Sequence, residues 1–454
     1  MGFNQILEIS RRSFRAHQAA LSNVSQNAAN AESDDYHRRR ISMTSEATAG
    51  GGVNIPPPGD TDRMGGVSVG AFERVRDTMY TSLGREAQTG LSTGEEESRI
   101  LQGLEGILAS DSDASMENVL NEFWNGWSDL ADNPTDSGVR EALISKTDTL
   151  TDTFSRIGRD INQLEGETAS ALEQGVRRAN EITHRIADLN EDIQAAEASG
   201  SPNYSAEDER DALVRELSEL APLQVNEDEN DGYHVKINGM SLVEGTEVTE
   251  LNLGEDNGDP FIEFGSSGVT YEPNGQSDGE LGVWLRTLNE TLPEVRGELD
   301  GLVEDIVTTV NDLHADGYDL NDDTGEDFFD EDGTSLDTIQ LDESITGGDT
   351  IAAASEPGEP GNADVANAIV DERRAFDDRA IDISASIGTR VDEAQKQASA
   401  QSATLAQIDA LEDGVSEVSL DDELTDMIEH QQTFAASSRV LQTAQQMMDS
   451  LLAI

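Results

Sequence analysis

The sequence predicts a mainly α protein: a long-helix rod with paired N- and C-terminal coiled-coil helices and a small inserted β domain. Three observations lead there. Aromatic residues are 4% and apolar residues 35% of 454, a composition that suits thin helical cores better than compact enzyme cores. Apolar residues recur at helical spacing along most of the chain, and the period drops to two only across 223–272. The ends also differ from everything between them. Residues 1–40 hold six Arg and four acidic residues and 430–454 are neutral, whereas the whole chain carries a net charge of −64. Segments that avoid carboxylates in so acidic a chain are expected to meet protein rather than water.

Residues 1–45 form the N-terminal axial helix and its exit. Leu7, Ser10, Phe14, His17, Leu21, Val24, Ala28 and Ala31 step by three and four, a heptad seam softened by Ser10 and His17. His17 reads as a seam residue, not a ligand. The helix should end near Asn30. Residues 46–71, rich in Gly, Pro and Thr around Pro56-Pro57-Pro58, read as an extended connector.

Residues 72–222 read as a helical rod. One helix fits 73–109, weakened by Gly84, Gly90, Gly94, Gly103 and Gly106. Asp113 or Ser115 caps the next, which carries Phe123, Trp124 and Trp127 as core residues and is broken by Asn133-Pro134. A long helix follows from Ser137 to Ala198, then a shorter one over 206–220. Residues 223–275 form the β domain: Tyr233, Val235 and Ile237 alternate, and Asn238-Gly239 is a strong hairpin signal. Helix returns over 276–415, interrupted by a polar, acidic loop at 315–362. The C-terminal axial helix occupies 416–454, with Ser419 as cap. In it Met427, Phe434, Leu441 and Met448 recur every seven residues, beside Leu424 and Leu452. Each terminal helix has a single apolar stripe, so both ends are expected to be disordered in a free monomer and to order on assembly.

Only Lys146, Lys236 and Lys396 are lysines; the remaining basic residues are Arg. A large carboxylate excess with almost no Lys points to strong brine, because at about 1 M salt the Debye length falls to roughly 3 Å and self-repulsion is screened. The melting temperature should therefore rise steeply with NaCl; a value unchanged between roughly 0.1 and 2 M, around that screening range, would discard the halophilic reading.

The same charge excludes nucleic acid and anionic membrane as partners. There is no Cys, hence no disulfide or thiolate chemistry. No apolar run reaches membrane-spanning length, and no apolar segment follows Arg11-Arg12 to make a cleavable signal peptide. No catalytic, cofactor-binding or metal-ligating set is assigned. Asp319, Asn321, Asp323, Glu326, Asp327 and Asp330 alternate like a calcium loop, but Gly325 sits one place late and the twelfth position is Asp330 rather than Glu. They read as a Gly-turned connector. The triplet Arg38-Arg39-Arg40 reads as internal counter-charge at a subunit contact.

The run from Ala19 to Asn30, with Tyr36 and Arg38 after it, resembles the N-terminal signature of axial proteins of the bacterial flagellum, with Ala28 and Asp35 replacing the usual Ile and Gly. Val418-Ser419-Leu420-Asp421-Asp422-Glu423, followed by Gln431, Phe434, Arg439, Leu441 and Met448, resembles their C-terminal signature. Between them Asn133-Pro134 with Arg140 and Leu143, Arg210-Asp211-Ala212-Leu213-Val214 with Leu217, and Asn311 to Asp319 continuing through Gly325, Asp327, Phe328 and Phe329 are similar to the hook-associated protein 1 family. The resemblance implies a structural, non-enzymatic adaptor joining hook to filament, exported through the flagellar type III apparatus with a dedicated chaperone. It implies a ring of copies of the chain, contacting hook protein on one side and the filament-side junction protein on the other. The assembly interface is expected at Leu7, Phe14, Leu21, Val24, Asn27, Asn30 and Tyr36 with Leu424, Met427, Phe434, Leu441, Met448 and Leu452. Two other readings are another axial flagellar protein, or a surface adhesin or enzyme with flagellar-type ends.

Overall fold

The structure, a computed structural model, describes residues 3–33, 36–45, 67–109, 115–228, 232–275, 277–416 and 418–452. Most of the predicted connector (46–71) and the alternative cap Asp113 lie outside the described residues. The chain is 67% helical with small β-sheets. It forms two compact units. One gathers both chain ends with a central segment (1–85, 185–215 and 404–454); the other holds 86–184 and 216–403.

The unit of the ends contains α1 (Phe3–Ala29), the antiparallel strands β1 (Arg39–Ser45) and β2 (Val67–Arg74), and α9 (Leu420–Leu452). It also takes the start of α2 (Thr78–Leu108), the last part of α4 (Ser137–Ala198), most of α5 (Tyr204–Leu220) and the end of α8 (Asp364–Ser416).

The other unit is built on α2, α3 (Met116–Asp132), α4, α7 (Leu292–Ala315) and α8. The Oγ of Ser115 accepts from Asn118 N at 3.3 Å and caps α3, and α3 stops before Asn133-Pro134. Glycines expected to weaken α2 leave it unbroken. At Gly94 a Cβ would lie 2.8 Å from Ala398 N, and at Gly90 2.9 Å from the Gln401 side chain; both are bare because α8 packs closely there. The core is aromatic at its centre. Phe123, Trp124, Trp127, Phe328 and Phe329 are fully buried, with Trp127 and Phe328 ring centroids 5.0 Å apart and Trp124 stacked on Phe376 at 5.5 Å.

The predicted acidic loop is where the structure departs most from the sequence pattern. Residues 316–363 have almost no regular secondary structure, yet Phe328, Phe329, Leu336, Ile339, Ile351 and Ala353 are buried in the helical core, and Ala352 and Ala354 are buried beside them. Buried irregular backbone needs partners, and Asn311, His314 and Arg140 are among the side chains that supply them. Asn311 accepts from Phe328 N and Phe329 N at 3.0 and 2.9 Å and donates to Phe329 O at 2.8 Å. His314 Nε2 accepts from Ala352 N at 2.8 Å, so its proton sits on Nδ1, which donates to Glu326 O at 2.5 Å. Arg140, 1% exposed, donates to Pro134 O, Gly348 O and Ile351 O at 2.6, 2.9 and 2.7 Å. Gly325 lies so close that a Cβ would meet His314 O at 2.0 Å. Within this segment the Asp319 carboxylate accepts from Asn321 N and Asp323 N at 2.7 and 2.9 Å, closing an Asx turn.

The inserted β region is two sheets, not one: β3 (Leu223–Asp228), β4 (Gly232–Ile237), β5 (Met240–Glu244) and β6 (Glu247–Val248) in order, then the hairpin β7 (Leu251–Asp256) and β8 (Asp259–Phe264). Asn238 and Gly239 both have positive φ, 49° and 82°, the turn that tight hairpins favour. Asn257-Gly258 does the same at a second hairpin, which the sequence pattern had not suggested. Val269 is 41% exposed and lies outside the named strands.

After α6 (Gly279–Arg286) the helix widens to π spacing over Thr287–Thr291 before α7, where Pro293 has no N–H to donate. Glu280, at the start of α6, has its pKa raised to about 7 by burial, then by Glu96 and Glu219, against the opposing pull of Arg99. The folded chain therefore holds this proton well above 4.5, the ordinary glutamate value. Stability is greatest below that value and falls as pH rises through about 7. Glu280→Gln is expected to raise the melting temperature at pH 8 and flatten its fall between pH 5 and 8. An unchanged profile would show that Glu280 is ionised throughout.

Candidate assembly interface at the paired termini

α1 and α9 run antiparallel within one chain. Ser13 Oγ meets Ser437 Oγ at 3.0 Å, Phe14 packs on Phe434 with ring centroids 4.3 Å apart, His17 Nδ1 faces His430 Nδ1 at 3.3 Å, and Asn27 reaches Glu423 at 3.1 Å. Two stripes that are marginal alone thus cover each other.

Asn27, 1% exposed, organises the end of this pairing. Its Nδ2 donates to Arg39 O at 3.0 Å and Glu423 Oε2 at 3.1 Å; its Oδ1 accepts from Tyr36 OH at 2.8 Å and Arg39 N at 3.1 Å. Both donors and both acceptor positions are used. Asn23, one turn earlier, also donates to Arg39 O, at 2.6 Å. Glu423, equally buried, accepts from Arg38 Nε at 2.8 Å, and Ser419 Oγ caps α9 at Asp422 N, 3.3 Å away.

A second polar cluster ties the hairpin to α5. Arg74 bonds Glu207, Asp208 and Asp211 at 2.7, 2.9 and 2.8 Å, and Arg39 bonds Asp208 at 2.9 Å while lying over the Tyr36 and Tyr204 rings. His37 Nδ1 is 3.4 Å from Asp208. Burial alone would raise the Asp208 pKa, but His37, Arg74 and Arg39 outweigh it and hold the carboxyl below its usual range. Arg38 and Arg39 are thus counter-charges to carboxylates of their own chain, the internal role expected of the triplet.

The residues marked from the sequence distribute unevenly. Phe14 and Phe434 meet directly, Val24 and Asn27 are buried, and Tyr36 bonds Asn27. Leu21, Met427 and Leu441 are half-buried. Asn30 is exposed, its side chain closing on Gln26 O at 2.9 Å. Leu424 is 51% exposed. Leu7, Met448 and Leu452 lie in the helices, their side chains outside the described residues. The heptad pattern missed Ala16, Ala20 and Asn23, all buried on α1, because α1 also packs on the β1–β2 hairpin. It missed Glu423 and Asp208 because nothing local distinguishes them from the other carboxylates.

Among the described residues, ten of thirteen exposed large apolar side chains belong to the unit of the ends; Leu253, Val269 and Ile381 are the others. On α9 they fall on two lines, Leu420, Leu424 and Ile428 four apart, and Val440 and Met447 seven apart. Uncovered apolar lines beside an internal seam mark surfaces for protein contact.

No group of three or more His, Cys, Asp or Glu able to hold a metal occurs among the described residues, and none of their helices is long and apolar enough to cross a membrane. A helical core and a second unit joining both chain ends under an apolar surface define a structural subunit of an assembly. Residues 101–329 match the model of the flagellar hook-associated protein FlgK helical domain, and 414–454 match the flagellar basal body rod FlgEFG protein C-terminal model. The chain belongs to the flagellar hook-associated protein 1 family and is a structural component of the bacterial flagellum.

Its relatives include flagellar hook-associated protein 1 of Bacillus subtilis (strain 168), 25% identical over 98% of this chain and 97% of that one. The protein of the same name from Escherichia coli (strain K12) is 28% identical over 69% of this chain and 58% of its own length. Among solved structures, the flagellar hook junction protein FlgK from Burkholderia pseudomallei aligns with a TM-score of 0.49 and 25% identity, covering 55% of this chain and 46% of that one.

Proposed function

We propose that this chain is the adaptor between hook and filament, without enzymatic activity. Copies form a ring by lateral packing of the terminal helices, with hook protein on one side and the filament-side junction protein on the other. The subunit leaves the cell through the flagellar export apparatus without a cleaved signal peptide, escorted by a chaperone, and acts outside the cell. The assembly surface is the outside of the α1–α9 pair, whose internal seam holds Phe14, Val24, Asn27, Tyr36 and Phe434 and whose flanks carry Leu21, Asn30, Leu424, Met427 and Leu441, with Leu7, Met448 and Leu452 toward the chain ends.

The observation that carries this reading is the concentration of exposed apolar side chains on the unit of the joined ends. Family membership adds the place in the flagellum. Electron microscopy of cells lacking the gene, with flagellin assayed in the medium, tests it: hooks without filaments and released flagellin are expected. Absent hooks would move the subunit down to the rod or hook. Normal filaments would favour a surface adhesin or enzyme built on flagellar-type ends.

A further inference from the structure

The His17–His430 contact sets a titratable group of α1 against one of α9. The two Nδ1 atoms are 3.3 Å apart while the ring centroids are 5.5 Å apart, so the nitrogens lie between the rings and face each other. Both side chains are half-buried, and the pair sits one turn from the Phe14–Phe434 contact, with Ser13–Ser437 just beyond it. We propose that this pair is an acid-sensitive latch, holding α1 on α9 while it carries at most one added proton and releasing it when both imidazoles are charged.

The donor and acceptor inventory gives the reason. With both rings neutral, one offers Nδ1–H and the other its Nδ1 lone pair. One added proton still leaves an acceptor in place on the other ring. A second proton puts N–H groups on both facing nitrogens, with two positive charges in contact and no acceptor between them. The surroundings supply little relief. Glu429 is the nearby carboxylate that favours the charged form of His17. Glu423 and Asp426 share a cavity wall with His430, but so do Arg38, Arg39 and Arg40, and Arg38 already engages both carboxylates.

Burial, then His430, lowers the His17 pKa below its usual 6.5, against the opposing pull of Glu429. The paired state accordingly takes up protons less readily than the separated helices. Pairing is at full strength above about pH 6.5 and weakens as pH falls below it. The latch concerns pairing within one chain; only its consequence, acid release of subunits, rests on the proposed assembly role.

The chain has no cysteine, so Ser13→Cys/Ser437→Cys can form a single disulfide that tethers the helices beside the latch. In the oxidised full chain at 2 M NaCl, ring-proton NMR should show one imidazole of the pair titrating at least one pH unit below the other. Reduction should bring the two together. In the untethered chain, amide protection of α1 and α9 should fall at least tenfold between pH 7.5 and 5, after correction for intrinsic rates, and His17→Gln/His430→Gln should retain it. Coincident titration at the ordinary histidine value in the tethered chain would overturn the latch, as would the same loss in the Gln pair. Absence of α1–α9 protection at pH 7.5 would overturn the intrachain pairing itself. None of these readouts depends on ring or filament assembly.

Discussion

Replacing Arg140 with alanine is expected to destabilise the helical-core unit by roughly 3–5 kcal/mol. The guanidinium bonds three carbonyls, the half-buried Pro134 O on one side and the buried Gly348 O and Ile351 O on the other. Each carbonyl left without a partner costs about 1–3 kcal/mol. Part of that is returned, because burial disfavours the cation; it lowers the Arg140 pKa against the pull of Asp319 and Asp349. Arg140→Lys should recover less than half of the loss, since a single ammonium cannot span both sides of the planar fork. Urea unfolding at constant high salt measures both variants. A loss below about 1 kcal/mol for the alanine variant would mean that water takes over the three carbonyls and that the arginine is not what holds 316–363 in place.

The second large effect is expected at Asn27. Asn27→Asp keeps the shape but removes both donors, so Arg39 O loses a partner and a second carboxylate is set 3.1 Å from Glu423 Oε2. Arg38 is the cation bonded to Glu423 at this point, and it cannot serve both. The loss in α1–α9 pairing should be about 3 kcal/mol or more. Cells carrying the variant should show hooks with few or no filaments. Asn367→Asp is the control, because Asn367 is an exposed amide of the other unit whose side chain bonds Ala363 O; it should leave filament number unchanged. Equal loss at the two positions would show that an added carboxylate anywhere on the chain, not the buried hub, is what assembly reads.

Where local periodicity sets the answer, the sequence is a good guide. The long helix from Ser137 to Ala198 is present with those bounds, because an apolar stripe without Pro or a positive-φ Gly has no competing local structure. The Asn238-Gly239 turn, the Ser115 and Ser419 caps and the break at Asn133-Pro134 are legible for the same reason: each acts on backbone groups within four residues of itself. The family signatures are legible as patterns, but their work is not. Asn311, His314, Gly325 and Phe328 look like a motif in sequence, and only the fold shows that they line a seat for backbone between Tyr318 and Ala354.

Misreadings follow from long-range pairing. Gly90 and Gly94 look like helix breakers until α8 lies against them. Residues 316–363 look like a solvated loop because their charges are counted and their eight buried apolar side chains are too sparse to show a period. Of the 93 acidic residues, nothing in the sequence singles out Glu423 or Asp208 as the carboxylates that meet Arg38, Arg39 and Arg74.

By itself, then, the sequence determined that this chain is mainly helical, carries one β insertion, keeps net negative charge off both ends and bears motifs that resemble those of flagellar axial proteins. These are properties of composition, period and short motifs, set by interactions within one or two turns of backbone. Only the tertiary structure decided which residue answers which: Asn27 to Glu423, His17 to His430, Arg140 to Gly348. Such pairs join positions hundreds of residues apart, and a buried polar group is stable wherever a partner arrives in three dimensions, with no trace left in the spacing along the chain.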